Sequence, residues 1–543
     1  VHEKRETLMA KTLYRNGSIY SAADPFATAM VVDGDTIAWL GGEDAAERHA
    51  GTVDEVVDLN GGLVAPAFVE SHTHLAALGR TLSGADLGAA SSASSLLSLV
   101  AEHAQNSTNM VLAQGWDNSD WANQQLPAET DLTSAAGGRG YYLARRDVHS
   151  ALVNQELLDL LDLGHLSSGT IAGADHDAVR EALTKTQKAE QEYQRLALEH
   201  YASRGFASVV EMAAPHLEGR EALDQLLSID SPKLPQVYAY WGELVADADH
   251  AQELAASFPA GKLLGLGGDL RVDGSLGSHT AYLREDYSDK PGQRGTLYLN
   301  REEIAAHLVA CSSRGIQASF HVIGDGALDE VLAGFDLAAE QIGIAKLQMC
   351  RHRLEHVEMV DEATRARLLQ YAIMVSMQPV FDQVWGGSNG MYIQRLGEER
   401  AASMNNLSAM LSSGVPMVLG SDAPVTEVDG WQVVRAGMNM NNTDARISAR
   451  AAFLAQTRST YRAMGEMNPY AGQLVIGAPA TFAVWTASEL AVQTPDVRIS
   501  SWSTDARAGT PMLPVVDQEI PQCLRTVRAG VTLFNALEPS ESA

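Results

Sequence analysis

The run Gly62-Leu63-Val64-Ala65-Pro66-Ala67-Phe68-Val69-Glu70-Ser71-His72-Thr73-His74 is apolar for most of its length and ends in two histidines one residue apart. That pattern reads as one buried strand delivering a metal site. In extended chain, residues i and i+2 point to the same side, so His72 and His74 leave the strand's carboxyl end together and can share a cation. Imidazole nitrogen suits zinc, and also iron, nickel or copper. Two histidines prove little alone, so the weight falls on whether further ligands stand at other strand ends.

They do. Apolar segments ending in polar residues recur at 207–211, 236–241, 263–269, 316–321, 351–356, 372–378 and 416–422, separated by helical stretches. With the opening run they make eight, and strands alternating with helices imply a parallel sheet. Eight such units imply a (β/α)8 TIM-type barrel, whose chemistry sits at the carboxyl ends of its strands. His72, His74, His321, His356 and Asp422 all fall at such ends, so the fold would gather residues hundreds of positions apart.

A long insertion, about residues 76–203, separates the first two strands and includes a charged helix expected from roughly Asp175 to Ser203. Insertions on the catalytic side of a barrel shape its pocket, which makes Trp116, Trp121, Arg145, Arg146, Asp147 and His149 candidates for lining it. For any one of them, simple packing is an equal reading. Short strands with Asn-Gly and Asp-Gly turns at the start (residues 10–61), and segments such as 472–477, 481–485 and 524–533 near the end (residues 469–543), suggest a small β-sandwich built from both chain ends. The barrel is then expected over residues 62–468.

Several short motifs occur in order: Val69-Glu70-Ser71-His72-Thr73-His74, Gly115-Trp116-Asp117, Asp147-Val148-His149-Ser150, Asp273-Gly274-Ser275-Leu276-Gly277-Ser278, His321-Val322-Ile323-Gly324-Asp325, Leu354-Glu355-His356, Gln378-Pro379 and Gly420-Ser421-Asp422-Ala423-Pro424. Together they resemble the amidohydrolase superfamily, and more closely its YtcJ-like branch, which includes N-substituted formamide deformylases. The resemblance covers nearly the whole chain. It implies that His72, His74, His321, His356 and Asp422 bind one or two divalent metal ions, commonly zinc. Many members place a carboxylated lysine at the end of the fourth strand, where this chain has Asp269. An aspartate is much shorter: it ligates directly, bridges through water or falls short, and Glu211 on the second strand is another possible carboxylate ligand.

Composition narrows the alternatives. A formal charge of -29 argues against nucleic acid or anionic membrane as partner. No stretch approaches the roughly 18 apolar residues of a membrane span, and the first residues lack the apolar core of a signal peptide, so a cytoplasmic protein is expected, with Met9 a candidate start. Cys311, Cys350 and Cys523 are widely spaced and fit a reducing compartment. The partner expected is a small-molecule substrate; homo-oligomerisation stays open.

Gly386-Gly387-Ser388-Asn389-Gly390 fits the G-x-S-x-G pattern of serine hydrolases, yet no buried strand precedes it, so a loop is the expected reading. The expected activity is metal-dependent hydrolysis of a non-peptide carbon–nitrogen bond, an amide or N-substituted formamide, by metal-activated water. Asp422 is then the general base, and Trp116, Arg145 and His149 orient substrate. The rivals are a deaminase or an ester or lactone hydrolase of the same fold and, farther off, a non-catalytic scaffold.

Overall fold

The computed structural model describes residues 10–84, 86–107, 110–185, 190–217, 219–229, 231–493, 502–503, 510–517 and 519–537. At its centre stand eight parallel strands: Phe68–Thr73, Phe206–Ala213, Gln236–Trp241, Leu263–Leu266, Gln317–Val322, Arg353–His356, Met374–Met377 and Met417–Leu419. The ring closes where Asp422 N–H donates to His72 O at 3.1 Å and His74 N–H donates to Ala423 O at 2.9 Å. Several strands are buried at every position, as expected for a parallel sheet covered on both faces. The (β/α)8 architecture is therefore as the pattern of apolar segments implies.

The opening run departs from its expected form. It is two strands, not one: Leu63–Pro66 pairs antiparallel with Phe482–Trp485 outside the barrel, and Phe68–Thr73 begins the barrel. Pro66 ends the first piece because it has no N–H to continue a ladder. One apolar stretch thus serves two sheets.

The outer sheet runs Ser18–Ile19, Leu63–Pro66, Phe482–Trp485, Cys523–Arg528 and Val531–Asn535, combining both chain ends. Facing it is a sheet ordered Thr36–Gly41, Ala29–Asp33, Lys11–Arg15, Glu55–Asp58, and Tyr14, Met30, Val32, Val64, Phe482 and Val484 pack between the two. Residues 472–477 turn instead of forming a strand, with Gly472 and Gly477 at φ 69° and 84°. Trp485 reaches from this sandwich to Phe68, 5.5 Å between ring centres, and Phe68 also meets Trp431 and Phe453 at the amino end of the barrel. That aromatic cluster fastens the end opposite the site.

The insertion carries its own sheet, Met110–Trp116, Gly140–Arg145, Ser150–Val153 and Gly169–Ala172. The single charged helix expected over 175–203 is two, Gly173–Thr184 and Glu190–Ser203. Among the described residues no helix is long and apolar enough to cross a membrane.

Candidate metal centre

Each strand end contributes through a local device. Gly267 and Gly268, at φ 133° and 77°, turn the chain after the fourth strand, and a Cβ on Gly267 would sit 1.8 Å from Ser319 O. Only glycine fits, and the turn presents Asp269. His356 and Asp422 sit at φ 70° and 55°, a left-handed backbone that costs energy for such residues and clusters at functional sites. Glu70 joins the first and eighth strand ends: it accepts from His72 N–H at 3.1 Å and from Ser421 Oγ–H at 2.6 Å. Burial raises its carboxyl to about 7.

The side chains converge. His72 Nε2 lies 3.4 Å from Asp422 Oδ1 and 3.7 Å from Asp269 Oδ1; His74 Nε2 lies 3.4 Å from Asp422 Oδ1 and 3.3 Å from Asp269 Oδ2. The His356 ring is 5.0 Å from that of His72 and 4.5 Å from that of His321. Two sets of three have ligand atoms within 4.8 Å of one another, His72–Asp269–His356 and His72–His74–Asp422. Asp269 therefore does reach the cluster. Glu211 does not join either set; its Oε2 accepts from Leu75 N–H at 2.9 Å at the start of the helix after the first strand. Asp273, in the same motif as Ser275, accepts three N–H groups, from Tyr282, Ile323 and Gly324, and shapes the loop after the fifth strand.

The electrostatics favour a cation. Burial lowers His72 to about 3 and holds His321 well below its ordinary value, so both rings are neutral and carry a lone pair. Burial raises Asp269 to about 6 and Asp422 to about 7. His72 Nε2, His321 Nδ1, Asp269 Oδ1 and Asp422 Oδ1 are buried without a hydrogen-bond partner. Buried polar atoms left unpaired cost about 1–3 kcal/mol each, more when charged, and a divalent ion among them removes that cost. The donor set, imidazoles with carboxylates, fits zinc.

Glu355 sets the orientation of His72. Its Oε2 accepts from His72 Nδ1–H at 2.9 Å, which leaves Nε2 as the lone-pair nitrogen, and Arg353 donates to the same carboxylate at 2.5 and 3.0 Å. All three residues are buried in the barrel. Sequence reasoning assigned Glu355 no role, although Arg353-x-Glu355 carried a signal: two opposite charges at i and i+2 of an apolar strand share a face and require each other. Gln378 does the same for His356, its Oε1 3.0 Å from Nδ1. We expect Glu355→Gln to weaken zinc binding by about 10- to 100-fold, as loss of such an outer partner does. Competition with a chelating dye measures it, and unchanged affinity would contradict the role.

The cluster opens into a cavity of about 460 Å³, mouth included, lined by His149 and by apolar residues among which Phe381, Trp385, Met391 and Tyr392 form one wall. His149 lies 5.0 Å from the His321 ring with Nδ1 unpaired. Two expected substrate residues stand elsewhere, a correction with a packing cause. Trp116 is 2% exposed in the insertion's core, its Nε1–H given to Leu143 O at 2.8 Å. Arg145 spends its guanidinium on Asp117 and Asp147, at 2.5 and 2.7 Å, behind the cavity wall. Trp121 likewise packs in the insertion, bonded to Ala90 O. Ser388 is exposed on a loop between helices Pro379–Trp385 and Met391–Leu396 and is absent from the cavity lining. Ser388→Ala should leave turnover within a small factor; a loss of several orders of magnitude at full metal content would restore the serine reading.

A family model described as "Amidohydrolase family" matches residues 55–534. Among curated proteins, the chain is similar to Protein LONG AFTER FAR-RED 3 of Arabidopsis thaliana, 26% identical over 92% of this chain and 91% of that protein. It is 24% identical to the putative amidohydrolase YtcJ of Bacillus subtilis, covering 77% and 82% of the two chains. An N-substituted formamide deformylase of Arthrobacter pascens is 21% identical over 74% of this chain and 78% of its own. Among solved structures, an uncharacterized metal-dependent hydrolase from Pyrococcus furiosus superposes with TM-score 0.67 at 27% identity, over 87% of this chain and 98% of that one.

Proposed function

The chain belongs to the amidohydrolase family, and from that premise we propose that it is a metal-dependent hydrolase cleaving a non-peptide carbon–nitrogen bond, an amide or N-substituted formamide, in a small molecule. The observation that carries the reading is the buried, mutually close cluster of His72, His74, Asp269 and Asp422, in which His72 Nε2, Asp269 Oδ1 and Asp422 Oδ1 have no hydrogen-bond partner. His72, His74, Asp422, Asp269 and His356 would hold the ion, with His321 beside them. Both three-residue sets share His72, whose one free nitrogen binds one ion, so they describe a single zinc position. When bound, such an ion polarises a carbonyl and makes water acidic enough to act near neutral pH.

The protein's own groups do the rest. Asp422 takes the proton released as water attacks the carbonyl carbon and delivers it to the departing nitrogen, giving a carboxylic acid and an amine. Burial raises its carboxyl to about 7, which makes the ionised form a better proton acceptor than an exposed aspartate. His149 and the aromatic wall orient substrate and exclude water. The activity in the name of the Arthrobacter relative, an N-substituted formamide deformylase, favours the carbon–nitrogen bond over an ester. A panel of formamides, other amides, amino-substituted heterocycles and lactones tests it, scored for formate, amine, ammonia and hydroxy acid. Amine release supports the proposal. Ammonia released only from the amino-substituted heterocycles identifies a deaminase, hydroxy acid formed only from the lactones identifies an ester or lactone hydrolase, and no turnover by zinc-loaded protein leaves the scaffold reading.

A further inference from the structure

A second cavity, about 750 Å³ with its mouth, adjoins the first, and His74 and Val148 line both. Their chemistry differs. The first is walled by histidines, carboxylates and apolar groups, with no arginine or lysine in its lining; the second includes Arg180, Arg80, Tyr142 and Gln114. Arg180 projects from helix Gly173–Thr184 of the insertion and gives one N–H, at 3.2 Å, to Val148 O. Of the acids close to it on that helix, Asp177 pairs with Arg271 and Glu181 with Lys185. No carboxylate of the described residues forms an ion pair with Arg180.

Among the described residues that line the second chamber there is no carboxylate, although the chain carries a formal -29. His149, His176 and His216 lie well below their ordinary pKa, first through burial and then through the positive charges of Arg180 and Arg271. His149 Nδ1, His176 Nδ1 and Arg271 Nε are buried without a partner. Val148, on the dividing wall, holds φ 51°, a strained conformation for a β-branched residue, with its carbonyl bound to Arg180. A guanidinium without an acid, in a concave site next to the reacting centre, is suited to a carboxylate, which it binds through paired N–H groups.

We propose that the second chamber takes a carboxylate of the substrate, with Arg180 as the residue that selects it. Building on the hydrolase reading, this narrows the substrate class to amides with an apolar group on one side of the scissile bond and a carboxylate on the other. Arg180 contacts neither the carbonyl nor the leaving nitrogen; it determines specificity.

The test uses ligands that lack the scissile bond. Benzoylalkanoates with two to four methylenes, in which carbon replaces the amide nitrogen, are titrated calorimetrically into zinc-loaded full-length protein beside their primary amides. At one chain length the carboxylate should bind about 10- to 100-fold tighter than the amide, the range of a charge-assisted hydrogen-bonded pair. Arg180→Gln should reduce that ratio to about 2 or less, and Arg180→Lys should keep part of it. Damage to the Val148 turn would weaken both ligands alike and leave the ratio intact. Equal binding of acid and amide, no binding of any acid, or a preference that survives Arg180→Gln, as direct attachment to zinc would give, overturns the proposal. Failure of the hydrolase reading looks different: the preference persists while no carbon–nitrogen bond is cut.

Discussion

Asp422→Asn should keep most of its zinc while turnover falls by about 10²- to 10⁴-fold, the usual contribution of general acid–base catalysis. Asparagine preserves the size of the side chain and one oxygen, and the histidines with Asp269 still surround the ion. What it removes is the basic oxygen 3.4 Å from both His72 Nε2 and His74 Nε2. Backbone geometry should survive, because Asp422 is held through its main chain, by its N–H to His72 O and its carbonyl from Val425 N–H at 2.8 Å. Metal content by elemental analysis and single-turnover rates separate the roles. If metal and rate fall together and excess zinc restores both, Asp422 is a ligand and not a shuttle. Full metal with near-normal turnover removes the role, and the base must then be sought at Asp269 or His149.

The second large effect is loss of the ion. His72→Ala and His74→Ala should each abolish stoichiometric zinc and, with it, activity, while circular dichroism stays close to that of the unaltered protein and the melting transition close to that of the unaltered protein stripped of metal. The fold should tolerate the changes because these rings stand at strand ends, outside the packed layers that hold a barrel together. His72→Ala is the harsher of the two: His72 belongs to both ligand sets and also leaves Glu355 with Arg353 alone. Stoichiometric zinc in both variants would disprove the centre.

Much of this was legible from pattern, and the exceptions have physical reasons. All eight barrel strands lie on apolar segments with polar ends, because a parallel sheet buried on both faces leaves a run that few other structures produce. The division at Pro66 was hidden by the same property: strands of two different sheets, both buried, read as one hydrophobic stretch. Glu355 escaped because its value to the site lies in a partner 283 residues away, although its pairing with Arg353 was local. Trp116 and Arg145 stand close to His149 in sequence or along the sheet, yet their side chains face the insertion's own core and its carboxylates. Periodicity gives the face of a strand but not which neighbour fills it. Arg180 carried no motif at all, since only the packing of the insertion over the first strand sets it beside His74.

The most direct measurement is turnover as a function of bound metal. The protein is stripped with a chelator, checked by elemental analysis, and titrated with zinc while amine or formate release is followed on an amide or formamide found active in the panel. The account predicts no turnover in stripped protein, a linear return with added zinc that ends at one equivalent, and no return in His72→Ala at any zinc concentration tested. Turnover that persists in fully stripped protein, or that returns equally in His72→Ala, would contradict a metal-dependent hydrolase centred on these residues.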